Sequence, residues 1–235
     1  PFIKGLDLCQ TFFTEAVRPL LTLHFPHLRY AAGRLGGGSD VLGFDTPQSR
    51  DHDWGPRLTL FLCEEDLASQ APAIDAMLRQ ALPLTILGYS THYGRHPDGT
   101  THLAFTDQPP INHLVEFTTA ARFFRDYLAL DISRPMQPTD WLLLPSQLLA
   151  TVRHGRLFHD QIGEVTAVRQ QLQEVMPGAD LDDPIVQARI RQEAQLPTRT
   201  IDEVRRVGLE ANQRTAEVRC PTLVLQGSED TVVLP

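Results

Sequence analysis

Three consecutive glycines, Gly36-Gly37-Gly38, followed by Ser39, stop the strand candidate at residues 28–35 and mark a turn. A second marker, Asp51-His52-Asp53, leads into the apolar run Leu58-Thr59-Leu60-Phe61-Leu62. Residues i and i+2 of a strand point to one face. Asp51 and Asp53 would then offer two carboxylates to one divalent cation, while the Gly38-Ser39 turn offers N–H groups to a phosphate. A loop reading stands beside this one. Asp-X-Asp is common in loops, where Asp51 would cap a turn.

The surrounding pattern alternates between helix and strand. Leu8, Phe12, Phe13, Val17, Leu20 and Leu21 recur at helical spacing over residues 6–23. Ser39 to Phe44 reads as a short helix capped by Ser39. Asp51–Cys63 reads as a strand in which Pro56 implies an edge, a bulge or a break. A helix over 65–82 follows, then short strands at Leu84–Leu87, Thr101–Phe105 and Ile111–Thr118. Thr119–Leu130 reads as a helix burying Phe123, Phe124 and Tyr127. Beyond Pro135 the pattern is helical, at 145–153, 163–175, 184–195 and 200–218, before a buried strand within Pro221–Gly227. The reading is an α/β (α+β) chain with a small mixed sheet and flanking helices over 1–130. A helical extension would occupy 131–176, and helices with a terminal strand 177–235.

Composition narrows the partners. Apolar residues make up 42%, enough for a core. A net charge of −8 argues against a surface tracking duplex nucleic acid. No apolar run is long enough to cross a membrane, and Pro1-Phe2-Ile3-Lys4-Gly5 does not read as a signal peptide. Three scattered cysteines, Cys9, Cys63 and Cys220, point to a reducing, cytoplasmic setting without a zinc cluster. Lys4 is the only lysine and reads as a coding bias.

Attack at the α-phosphorus of a triphosphate builds negative charge that two Mg²⁺ ions can clamp, and carboxylates must hold those ions. Glu116, within Leu114-Val115-Glu116-Phe117, is the candidate third acid, because a charge among apolar strand residues is costly unless paired or metal-bound. Arg57 would neutralise phosphate charge, or serve as a surface ion pair. For His52, His113, His154 and His159, a packed or exposed histidine is the simpler account. Leu87-Gly88-Tyr89-Ser90-Thr91-His92 lacks the closing glycine of a nucleophile elbow.

Several strings in order carry a family resemblance. They are Phe2-Ile3-x-Gly5-Leu6, Glu15-Ala16-Val17-Arg18-Pro19-Leu20, Gly38-Ser39-x-Val41-Leu42-Gly43-Phe44-Asp45-Thr46 and Asp51-His52-Asp53-Trp54-Gly55-Pro56-Arg57. Asn112-His113-x-Val115-Glu116, Asp140-Trp141-Leu142 and His159-Asp160-x-x-Gly163-Glu164 continue the series. Over residues 1 to about 175 the chain resembles the "domain of unknown function 4037" family, a branch of the nucleotidyltransferase superfamily. The resemblance implies a nucleotidyltransferase-like fold, with Gly38 and Ser39 contacting phosphate. It makes Asp51, Asp53 and Glu116 the metal ligands and catalytic acids. The implied reaction is Mg²⁺- (or Mn²⁺-) dependent transfer of a nucleoside monophosphate from an NTP to a hydroxyl-type acceptor. A nucleotide- or metal-binding module without turnover is the alternative.

Arg219-Cys220-Pro221-Thr222-Leu223-Val224-Leu225-Gln226-Gly227-Ser228-Glu229-Asp230-Thr231-Val232-Val233, with the helices before it, resembles a late strand of α/β-hydrolases. In that fold Asp230 would orient a catalytic histidine. A triad needs all three groups together, and no good nucleophile elbow precedes the segment, so hydrolase activity is not expected.

Overall fold

Four short strands build the central sheet, β1 from small residues and β2 from alternating polar and apolar ones. β1 (Ala31–Arg34), β2 (Arg57–Phe61), β7 (Leu114–Thr118) and β8 (Arg156–Asp160) lie in the order β7-β2-β1-β8. β2 runs parallel to β7 and antiparallel to β1, which is antiparallel to β8. The fold is thus mixed α/β. The computed structural model describes residues 2–50, 54–95, 99–136, 140, 144 and 146–174. The chain divides into units Pro1–Leu181 and Asp182–Pro235. The expected helices at 184–195 and 200–218 and the strand at Leu223–Leu225 lie outside the described residues.

Side-chain alternation along the strands feeds two apolar layers. Ala32, Leu58, Leu60 and Val115 meet α1 (Gly5–Thr11), a π-helical segment (Phe12–Val17), α2 (Arg18–His24) and α4 (Ala71–Ala81). Ala31 and Phe61 face the other way. They meet α5 (Ala120–Leu128), α6 (Ser146–His154) and α7 (Glu164–Glu174). Pro19, which lacks an N–H, lies in the first turn of α2 and removes one backbone bond to the preceding turn. The wide π segment lies immediately before it and keeps Phe12, Phe13, Ala16 and Val17 in the core.

Several expectations are corrected. Residues 39–44 form consecutive turns, not a helix. Leu42 N–H donates to Gly38 O at 3.4 Å and Phe44 N–H to Ser39 O at 2.9 Å, and Gly43 ends the run at φ 77°. The helix expected over 65–82 is two, α3 (Glu64–Ser69) and α4, divided at Gln70 with Pro72 opening the second. Strand pairing begins only at Arg57, after Pro56. The stretch expected to be a helical extension contains β8, whose half-buried side chains carry too little apolar alternation to read as a strand. The strands expected at Leu84–Leu87 and Thr101–Phe105 form in shortened versions, each as one arm of a hairpin whose other arm was not expected. The hairpins pair β3 (Thr85–Ile86) with β4 (Tyr89–Ser90), and β5 (Tyr93–Arg95) with β6 (Thr101–Leu103). Leu87 and Gly88 join β3 to β4 with φ 50° and 83°, the twist-matched hairpin turn. Ser90 therefore lies on a hairpin strand, and its hydroxyl donates to Ala104 O at 2.7 Å.

His113 ties β7 to α4 from within the core. Val115 N–H donates to Nδ1 at 3.2 Å, which leaves the proton of the neutral ring on Nε2, 3.5 Å from Asp75 O and from its carboxylate. Burial lowers the ring's pKa below the ordinary 6.5, against the upward pull of Asp75 and with a smaller downward push from Arg79. Protons then bind the unfolded chain first. The stabilisation by neutral His113 is complete above about pH 6.5 and is lost as pH falls toward the lower folded value. Urea unfolding between pH 7.5 and 5 is expected to show this loss, and a shallower pH slope in His113→Asn. Parallel slopes would refute the assignment.

Candidate functional site

A buried carboxylate shared by two arginines organises the turn after β1. Arg34, the last residue of β1, donates Nε to Asp40 Oδ2 at 2.9 Å and Nη2 to Asp40 Oδ1 at 3.1 Å. Arg57, the first residue of β2, donates Nη2 to Asp40 Oδ1 at 3.1 Å. Arg34 also closes the turn on itself, donating to Leu35 O at 2.9 Å and Gly37 O at 2.6 Å. Gly38 fits between these charges at φ 145°. A Cβ there would collide with the Asp40 carboxylate and stand 2.5 Å from Arg34 Nη2.

The outer side of the turn is available to a ligand. Gly37 and Ser39 are exposed, and the N–H groups of Gly37, Gly38 and Ser39 donate to no described residue. Successive free amides of this kind are anion donors. The parallel register pairs Arg57 with Leu114 and Thr59 with Glu116, which puts Arg57, Thr59 and Glu116 on one face of the sheet. Glu116 is exposed and makes no ion pair or side-chain hydrogen bond with a described residue. Its free carboxylate therefore comes from exposure, not from the buried apolar setting expected of it. Arg57 Nε is buried without a hydrogen-bond partner among the described residues.

Beneath Arg57 lies a second buried polar layer. Cys9 Sγ contacts Gly55 O at 3.4 Å and accepts from Arg57 N–H at 3.5 Å. Burial pushes the Cys9 thiol up to about 11, against the downward pull of Arg34, so it is an unreactive packing group. Burial likewise holds the Tyr93 hydroxyl well above its ordinary range. On the flank, Asp45 accepts from Gly5 N–H at 2.6 Å and Trp54 Nε1 at 3.3 Å, and pairs with Lys4 Nζ at 3.2 Å. Trp54 stacks on Phe2, with ring centroids 5.6 Å apart. The N-terminal string, the 43–46 loop and Trp54 thus form one lock beside the turn.

Of the expected site residues, the structure brings together Gly38, Ser39, Arg57 and, on the same sheet face as Arg57, Glu116. Asp51 and Asp53 lie outside the described residues. Among the described residues, no three His, Cys, Asp or Glu side chains converge as a metal site. Among the described residues no helix is long and apolar enough to cross a membrane. Arg34, Asp40, Asp45 and Lys4 were missed as site-building residues. The two charges flanking the glycines, Arg34 and Asp40, were the signal available. His159 is a packed histidine, its ring 4.7 Å from that of Tyr30.

Comparison with known proteins bears on the second half of the chain. A family model described as "Domain of unknown function (DUF4037)" matches residues 141–219, about a third of the chain. The match overlaps the expected family stretch at its end. It then runs on through the helices that the sequence alone assigns to a hydrolase-like tail, and stops before Asp230. No curated protein and no solved structure matches the chain. Within the matched stretch, β8 completes the sheet beside β1, and Thr151 of α6 bonds Tyr127 of α5 at 2.8 Å. The Tyr127 hydroxyl also lies at ordinary contact distance from the space a Cβ at Gly37 would occupy.

Replacing Gly38 by Ala should destabilise the protein by roughly 1–3 kcal/mol from backbone strain, with a further loss from displacing the Asp40 ion pairs. Gly43→Ala meets open space at φ 77° and should cost about 1 kcal/mol. Urea denaturation of both variants tests this. Equal losses would show that the charge cluster gives way freely.

Proposed function

We infer that the exposed glycine turn is the phosphate seat of a Mg²⁺-dependent nucleotidyltransferase. The enzyme would move a nucleoside monophosphate from an NTP to a hydroxyl-type acceptor. The observation that carries this reading is the set of Gly37, Gly38 and Ser39 amides, which donate to no described residue, beside a sheet face bearing Arg57 and Glu116, which pairs with no described residue. Donors to phosphate, a cationic side chain and a free carboxylate are what a metal–nucleotide site requires. An exposed, unpaired carboxylate suits a hard cation, which takes oxygen ligands.

Asp51, Asp53 and Glu116 would hold Mg²⁺ (or Mn²⁺), whose charge offsets that developing at the α-phosphorus. The Gly38-Ser39 amides orient the phosphates, and Arg57 adds positive charge near them. In the reaction the acceptor oxygen forms a bond to the α-phosphorus. The α–β phosphoanhydride bond breaks, pyrophosphate leaves, and the hydroxyl proton passes to one of the acids or to water. A nucleotide-binding module without turnover is the second reading. It is favoured by the commitment of both guanidiniums to Asp40, which reduces the positive charge free for a transition state.

Thermal unfolding with Mg²⁺ and ATP separates these outcomes. At a hundredfold excess over Kd, binding should add about 2.7 kcal/mol to stability. Asp51→Asn, Asp53→Asn and Glu116→Gln should each reduce the shift. Pyrophosphate release in an acceptor screen would establish transfer. A shift without release would favour the binding module, and no ATP-linked shift would exclude both readings.

A further inference from the structure

Phe44 is a large apolar side chain held out in water beside the turn. It is 74% exposed and makes no ring contact with a described aromatic. Its backbone is nonetheless firmly held. Phe44 N–H donates to Ser39 O at 2.9 Å, which ties it directly to the phosphate turn. Lys4 Nζ reaches the carbonyls on either side, Gly43 O at 3.5 Å and Asp45 O at 2.6 Å. The next residue, Asp45, is buried and bonded to Gly5 and Trp54. Gly43, with φ 77° and no atom within 4 Å of its missing Cβ, leaves the space beside the ring open.

A ring that is exposed, unpartnered and mounted on a clamped backbone is arranged to meet something flat and apolar. The other highly exposed aromatic among the described residues, Phe105 at 90%, follows Ala104, whose backbone bonds His92 and Ser90 and not the turn. We propose that Phe44 is the stacking platform for the nucleobase of the bound NTP, so that the turn holds the phosphates and Phe44 the base. This assignment rests on the phosphate-seat reading of Gly38 and Ser39. It makes Phe44 a binding residue for the nucleoside end of the substrate. The only lysine thereby has a task, to fix the peptide units that carry the platform.

Isothermal titration of the full chain with MgATP and, separately, with magnesium tripolyphosphate tests the proposal. Stacking on an aromatic side chain contributes enough that Phe44→Ala should weaken MgATP binding about tenfold or more. Tripolyphosphate, which has no base, should bind parent and variant alike. Phe44→Trp should retain MgATP affinity, and the melting temperature of Phe44→Ala without ligand should be near that of the parent, since the side chain is exposed. MgATP affinity unchanged in Phe44→Ala would overturn the proposal. So would an equal loss for both ligands, which would mean that the loop shapes the phosphate seat alone. A parent chain that binds tripolyphosphate as tightly as ATP keeps the phosphate seat and removes the platform. A parent that binds neither removes the seat and the platform with it.

Discussion

The Asp40 carboxylate is the point on which the rest of the site depends. It is buried, so its charge must be neutralised within the protein. Arg34 closes β1 and Arg57 opens β2, so the neutralisation joins the adjacent ends of two antiparallel strands to the turn that follows the first. Such a buried cluster is not a strong source of net stability, because desolvation offsets much of the attraction. Its value here is geometric. The fork of Arg34 fixes Asp40 and Gly37 together, and only a glycine fits at position 38.

The same node transmits order outward. Gly5, at the start of α1, lies so near Asp40 and Trp54 that a Cβ there would stand 2.6 Å from Asp40 Cβ. The N-terminal helix is therefore seated against the turn, and the Lys4–Asp45 pair continues the contact into the following loop. On the other side, Tyr127 links the glycines to α5 and, through Thr151, to α6. The described part of the stretch matched by the family model, residues 144 and 146–174, is thus built into the sheet and its helical cover.

Much of this was legible from residue pattern. Alternation in Leu58–Leu62 and the spacing of Leu8, Phe12 and Phe13 are period signals, and both elements formed. The Gly36–Gly38 turn was also visible, because glycine runs have few other structural uses. The helix expected at 39–44 failed for a reason outside local propensity. Asp40 is drawn inward by two arginines, and Gly43 ends the run in a left-handed conformation. β8 escaped because an edge strand with half-buried side chains has little periodicity to show. Glu116 was placed correctly on a strand, but its apolar neighbours turned to the opposite face and left it in water. The Arg34–Asp40 half of the charge cluster lies within six residues and was open to a reading of the glycine flanks, whereas Arg57 joins it from 17 residues away, which no local pattern encodes.

The position of β8 sets a timetable for the growing chain. β1 lies between β2 and β8, yet its two partners are made at very different times, one within thirty residues and the other after more than a hundred. During synthesis, β1 would stand as an open edge until residue 160 emerges. Contacts of such long sequence separation slow folding and expose strand edges to other chains. The short span of β1, only Ala31–Arg34 and made largely of small residues, limits that hazard by giving a stranger little to pair with. The strand that leads into the glycine turn is therefore among the last parts of the sheet to be enclosed.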